Sequence, residues 1–132
     1  MNIGEASRAS GVSAKMIRYY ETIGLIPKPA RSEAGYRRYT EADVQTLRFI
    51  RRARELAFPV EQMRALLALW RDEGRASADV KRLALAHVAE LDAKAQAIAE
   101  MSRALRHLAE RCHGDGRPHC PIIEELAETA AA

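Results

Sequence analysis

Between Gly74 and Gly114 the chain carries neither glycine nor proline, the residues that most often stop a helix. Ser77 is a fitting start, and a helix from there toward Gly114 runs about 34 residues, or roughly 50 Å at 1.5 Å per residue. Within it Ala84, Leu91, Ile98, Leu105 and Cys112 recur every seven residues, and Val80, His87, Lys94, Met101 and Leu108 form a companion row. Eight of these ten positions are apolar or Cys, the pattern of a coiled-coil seam. A seam this long exceeds what one small body covers, so a second copy of the chain in a symmetric dimer is the expected partner. His87 and Lys94, the polar exceptions, suit register-setting or snorkelling positions.

The first half is built from shorter pieces. Ile3, Ala6 and Ala9 share a helical face that stops at Gly11. Ser13 is a candidate N-cap for a second helix, Ala14 to roughly Ile23. It turns Met16, Ile17 and Tyr20 inward and Lys15, Arg18 and Tyr19 outward. Two short helices joined by a glycine turn make a helix-turn-helix candidate. Pro27 and Pro29 forbid further helix, and the segment from Arg31 to Tyr39 reads as two arms around a turn at Ala34-Gly35, a small wing. Thr40 and Asp43 form a weak capping box for a third helix carrying Val44, Leu47, Ile50, Ala53, Arg54 and Ala57, which Phe58-Pro59 ends. A fourth helix starts at Pro59 and runs to about Leu69, burying Met63, Leu66 and Leu67. The polar break at Asp72–Arg75 then gives a division into a DNA-binding domain (1–69), a linker (70–77), a dimerisation helix (78–111), and a loop with a short terminal helix (112–132). The fold class is mainly α.

With 132 residues the chain suffices for one packed domain and an appendage. No run approaches the roughly 18 apolar residues of a membrane span, and Glu5 and Arg8 interrupt any signal-like start. A cytoplasmic protein without membrane attachment is expected. Residues 1–59 hold 11 Lys/Arg against 6 Asp/Glu, whereas residues 60–132 hold 10 against 12. A polyanion therefore meets the first half. Lys15, Arg18 and Tyr19 on the second helix, with Arg31, Tyr36, Arg37, Arg38 and Tyr39 on the wing and Arg54 beyond it, interleave cations with phenols in the manner of a duplex-DNA surface.

The remaining chemistry lies in Cys112-His113-Gly114-Asp115-Gly116-Arg117-Pro118-His119-Cys120, which contains both cysteines of the chain. Seven residues between them let the loop double back and bring the sulfurs together. Two soft donors without a third suit a monovalent d¹⁰ cation such as Cu(I), whereas tetrahedral zinc needs two more ligands. Cys120 precedes Pro121 at the start of a short helix, where the dipole favours thiolate; Cys112 ends the long helix, where the dipole disfavours it. Oxidation of the pair as a redox switch and binding of another thiophilic ion are the alternatives. A thiol enzyme needs a Cys-His pair or a CxxC motif, and His113 beside Cys112 does not alone supply one. The chain reads as a non-enzyme.

Four segments, Met1-Asn2-Ile3-Gly4-Glu5-Ala6-Ser7, Ile17-Arg18-Tyr19-Tyr20-Glu21, Gly24-Leu25-Ile26-Pro27 and Arg31-Ser32-Glu33-Ala34-Gly35-Tyr36-Arg37-Arg38-Tyr39, resemble the N-terminal domain of the MerR family of transcription regulators over about 70 residues. The resemblance implies a winged helix-turn-helix, an antiparallel dimerisation helix and a C-terminal effector region. It further implies promoter DNA as partner, with activation by bending and untwisting an overlong spacer until RNA polymerase reads both elements. The cysteine loop, of form C-x-G-D-x-x-x-x-C-P-I-I, is similar to that of the copper-responsive, CueR-like branch. That likeness implies Cys112 and Cys120 as metal ligands, with Lys81 neutralising the site. It places Ser77 where divalent-metal members carry a third cysteine, hence Cu(I), with Ag(I) or Au(I) as mimics and copper efflux genes as targets. The Cys-rich extreme C-terminus of some relatives is absent.

Overall fold

The computed structural model describes residues 1–31, 35 and 38–128. Among them six helices follow one another: α1 (Ile3–Ser10), α2 (Ala14–Thr22), α3 (Glu41–Glu55), α4 (Val60–Arg71), α5 (Ser77–Glu110) and α6 (Pro121–Ala127). No strand occurs among the described residues; the two wing arms meet where the Arg38 amide donates to the Ala30 carbonyl at 2.8 Å. Ser32, Glu33, Ala34, Tyr36 and Arg37, which carry the expected wing turn, lie outside the described residues. The chain divides into two compact units, Met1–Ala84 and Leu85–Ala132, the boundary falling inside α5 rather than at the polar break.

The core of the first unit follows from helical periodicity. Val44, Leu47, Ile50 and Ala53 of α3 are buried together with Ala6 of α1, Ile17 and Tyr20 of α2, and Met63 and Leu67 of α4. Side chains close the N-termini of α1, α2 and α3. Asn2 and Glu5 form a capping box on α1, Ser13 accepts from the Met16 amide on α2, and Thr40 with Asp43 forms the full reciprocal box on α3. At the C-termini arginines meet the orphan carbonyls: Arg48 donates to Ala9 O at 2.9 and 3.1 Å, and Arg64 to Ile23 O and Gly24 O at 3.1 Å each. Phe49 of α3 stacks on Trp70 of α4 with ring centroids 4.7 Å apart.

Helix α3 stops earlier than its apolar pattern suggests. Ala57, read from the sequence as part of the helical face, adopts φ +62° one residue beyond the C-cap Leu56. Phe58 N donates to Ala53 O and Ala57 N to Arg54 O, at 3.0 and 2.9 Å, the paired bonds of a Schellman closure. Glycine is the residue that adopts this left-handed conformation without strain. Setting relief of that strain against glycine's larger unfolded-state entropy, Ala57→Gly is expected to stabilise by about 0.5 to 1 kcal/mol. A melting temperature raised by a few degrees checks this; an unchanged or lowered one would show that the turn holds no strain.

In the second unit α5 leaves much of its apolar side uncovered. Ile98, Met101 and Leu105 of the seam are 63, 59 and 54% exposed, while His87 is buried. Among the described residues no helix is long and apolar enough to cross a membrane.

Candidate nucleic-acid interface and metal loop

Helix α2 sorts its residues by face. Ile17, Tyr20 and Glu21 are buried, which leaves Lys15, Arg18 and Tyr19 exposed, as a reading helix requires. Arg31 is exposed and donates from Nη1 to Gly35 O at 3.1 Å. Arg54 is exposed near the end of α3. Tyr36 and Arg37 fall among the residues outside the description.

Tyr39 departs from the sequence expectation. It is only 3% exposed, and its hydroxyl donates to the buried Glu21 carboxylate at 2.5 Å. Its main chain exchanges two hydrogen bonds with Met1, at 2.7 and 3.0 Å. The reason lies in the capping geometry. Tyr39 stands just before the N-cap Thr40 and Val44 four residues after it, the two positions of a hydrophobic staple, and both are in the core. Tyr39 therefore anchors the base of the wing rather than presenting a phenol to phosphate. Glu21, its partner, was not legible as a site residue.

In the second unit, α5 ends at Glu110 and Cys112 follows, its amide bonded to Ala109 O at 3.2 Å. Both cysteines are half-buried and reduced. The loop doubles back far enough for the Cys112 thiol to act on that of Cys120. The amide of Ile123 in the first turn of α6, and after it the Cys112 thiol, hold the Cys120 thiol below its ordinary pKa. No side chain caps the start of α6 by a hydrogen bond. The loop is braced by one ion pair. Arg117 donates Nε and Nη2 to Asp115 Oδ2 at 2.9 and 2.8 Å, and its amide to Oδ1 at 2.9 Å. These bonds keep the Asp115 carboxyl below the usual carboxylate range. Gly114, at φ +66°, supplies the turn. Outside the sulfurs an open pocket of about 220 Å³ is lined by Arg111, His113, Asp115, Arg117 and His119. His119 Nδ1 lies 3.2 Å from Glu124 Oε1. Among the described residues no three His, Cys, Asp or Glu side chains are grouped to hold an ion.

Ser77 and Lys81, linked to the cysteines only by resemblance, lie at the start of α5 in the first unit, both exposed. They line an open surface depression with Glu73, Arg75 and Val80.

The helix-turn-helix geometry has sequence counterparts. A profile described as MerR HTH family regulatory protein matches residues 1–70, more than half of the chain, and a second, MerR, DNA binding, matches residues 44–108. The chain belongs to the MerR family. MerR proteins are transcription regulators, not enzymes. Similar MerR members include the heavy metal-dependent transcription regulator 2 of Rhizobium meliloti, 65% identical over 99% of this chain and 89% of the relative. The transcriptional regulator CueR of Escherichia coli O6:H1 is 42% identical over 96% of this chain and 94% of its own. Among solved MerR structures, the regulator PbrR691 of Ralstonia metallidurans CH34 in complex with lead(II) superposes with a TM-score of 0.83 at 34% identity, covering 96% of this chain and 99% of that one.

Proposed function

We propose that the protein is a metal-responsive transcription regulator whose inducer is a soft monovalent ion, Cu(I) with Ag(I) or Au(I) as mimics, held by Cys112 and Cys120. The observation that carries this reading is the donor set: two interacting thiols, one of them biased toward thiolate, as the two cysteines of the chain. Kinship with a heavy metal-dependent regulator supports the effector class, and the poverty of donors supports the charge. When bound, the ion supplies two soft bonds joining the end of α5 to the start of α6. Two thiolates against one positive charge leave an excess of one negative charge, which Lys81 is suited to offset.

Dimerisation through the exposed apolar side of α5 follows. A regular 34-residue helix has ends roughly 50 Å apart, so in an antiparallel pair Ser77 and Lys81 of one copy come beside the cysteine loop of the other. Lys15, Arg18, Tyr19, Arg31, Tyr36, Arg37 and Arg54 then contact two half-sites of a promoter duplex in the cytoplasm. Deforming such a site costs on the order of 1 to 6 kcal/mol. Differential binding of the inducer to the activating state must meet that cost before RNA polymerase initiates. Genes for copper efflux are the expected targets.

The lead(II)-bound neighbour favours a second reading, a divalent thiophilic inducer. Reporter induction across Cu(I), Ag(I), Au(I), Zn(II) and Pb(II) under strict reduction separates the two. Response to the monovalent ions alone is expected; induction by divalent ions with silence toward Cu(I) would overturn the proposal. Response to oxidant without any metal would instead identify the pair as a redox switch. On the DNA side, Arg18→Ala is expected to weaken duplex binding by about five- to 150-fold with or without metal, in a gel-shift titration, since it removes a donor worth about 1 to 3 kcal/mol. An unchanged affinity removes Arg18 from the interface.

A further inference from the structure

Four arginines, none of them assigned so far, converge on one open groove between α1 and α3. The groove, of about 310 Å³, is lined by Arg8, Arg48, Arg51, Arg52, Glu55 and the α1–α2 turn at Gly11. One carboxylate faces four guanidiniums there. Three of the arginines have side-chain partners. Arg48 is fixed by its two bonds to Ala9 O, Arg51 Nε lies 3.3 Å from Glu55 Oε1, and Arg52 Nη1 lies 3.1 Å from Glu55 Oε2. The Arg51 guanidinium lies so close over Gly11 that a Cβ there would collide with it.

We propose that this groove is a second phosphate-binding surface, taking the backbone of the same duplex that α2 reads. Its position argues for DNA over other polyanions. The turn at Gly11 that forms one wall leads within two residues to Ser13, the N-cap of α2, so the groove adjoins the start of the helix that bears Lys15 and Arg18. Openness also fits a passing strand, where a small anion would want enclosure. Arg51 and Arg52 are the contacts; Arg48 positions the groove by holding the end of α1. The inference rests on the DNA-binding reading above.

The test compares the salt dependence of binding by the full chain to two duplexes: one selected by the parent protein from a random pool, and an unselected one of equal length. Each lost phosphate contact lowers the log–log slope by about 0.9. R51Q/R52Q, removing two contacts per protomer, is expected to lower it by roughly 2 to 4 in a dimer while preserving the affinity ratio between duplexes. R103Q/R106Q, at exposed positions of α5 off the heptad seam, removes the same charge and should leave the slope intact. Should R51Q/R52Q melt early, R52Q alone provides a single exchange of one contact, with about half the effect. Equal slope losses in both double variants would show a long-range field and overturn the proposal. An unchanged slope with lost transcription would assign the groove to an acidic protein surface instead. Failure of the parent protein to bind any duplex would sink the underlying reading itself.

Discussion

Cys112→Ser chains are expected to bind promoter DNA as the parent does and to show no metal-dependent rise in transcript. The substitution exchanges a soft sulfur for a hard oxygen of similar size, and it leaves Cys120 as the lone thiolate donor of that chain. Little else should move. The Arg117–Asp115 brace, the Gly114 turn and the amides of α6 around Cys120 involve no atom of the Cys112 side chain except the thiol that supports Cys120. Quantifying both operator affinity and transcript on the same preparation decides the matter. Induction that persists would remove Cys112 from the sensor, while loss of DNA binding would make the loop structural.

The second large effect lies on α2, one residue from Arg18. Ile17 has no exposed surface and packs in the core that holds α2 against α1 and α3. Ile17→Ala is expected to cost about 2 to 5 kcal/mol, the lost transfer energy plus the cavity left behind. In a unit of this size that lowers the melting temperature by roughly 10 to 25 °C. Arg18→Ala, on the solvent side of the same turn, should leave melting nearly unchanged while weakening DNA binding. Calorimetry and gel shift on the two variants therefore give opposite patterns. Similar melting losses in both would contradict the division of faces on α2.

Where local rules act alone, the sequence and the fold agree closely. The α5 helix begins at Ser77 as expected because nothing in its 34 residues interrupts helical hydrogen bonding, and the Thr40–Asp43 box forms because three-residue spacing suffices to close it. Tyr39 escaped the reading because its neighbours are basic and its partner Glu21 is 18 residues away; burial by a distant carboxylate leaves no local periodicity. The staple spacing to Val44 was the available signal. Ala57 hid for the opposite reason: alanine is an excellent helix former, so only the Schellman bonds reveal a left-handed residue there. In the candidate metal site the sulfur pair was legible from soft-ligand chemistry. The Asp115–Arg117 brace was not, because an aspartate and an arginine two residues apart in a polar loop resemble ordinary solvated charges.

The stacking of Trp70 on Phe49 gives the molecule an intrinsic gauge. Trp70 is the single indole of the chain and belongs to the first unit, so fluorescence excited at its absorption edge monitors the DNA-reading half without labelling. A change in that emission on adding Cu(I), the proposed inducer, would time the arrival of the signal at the first unit, separately from occupancy of the sulfurs.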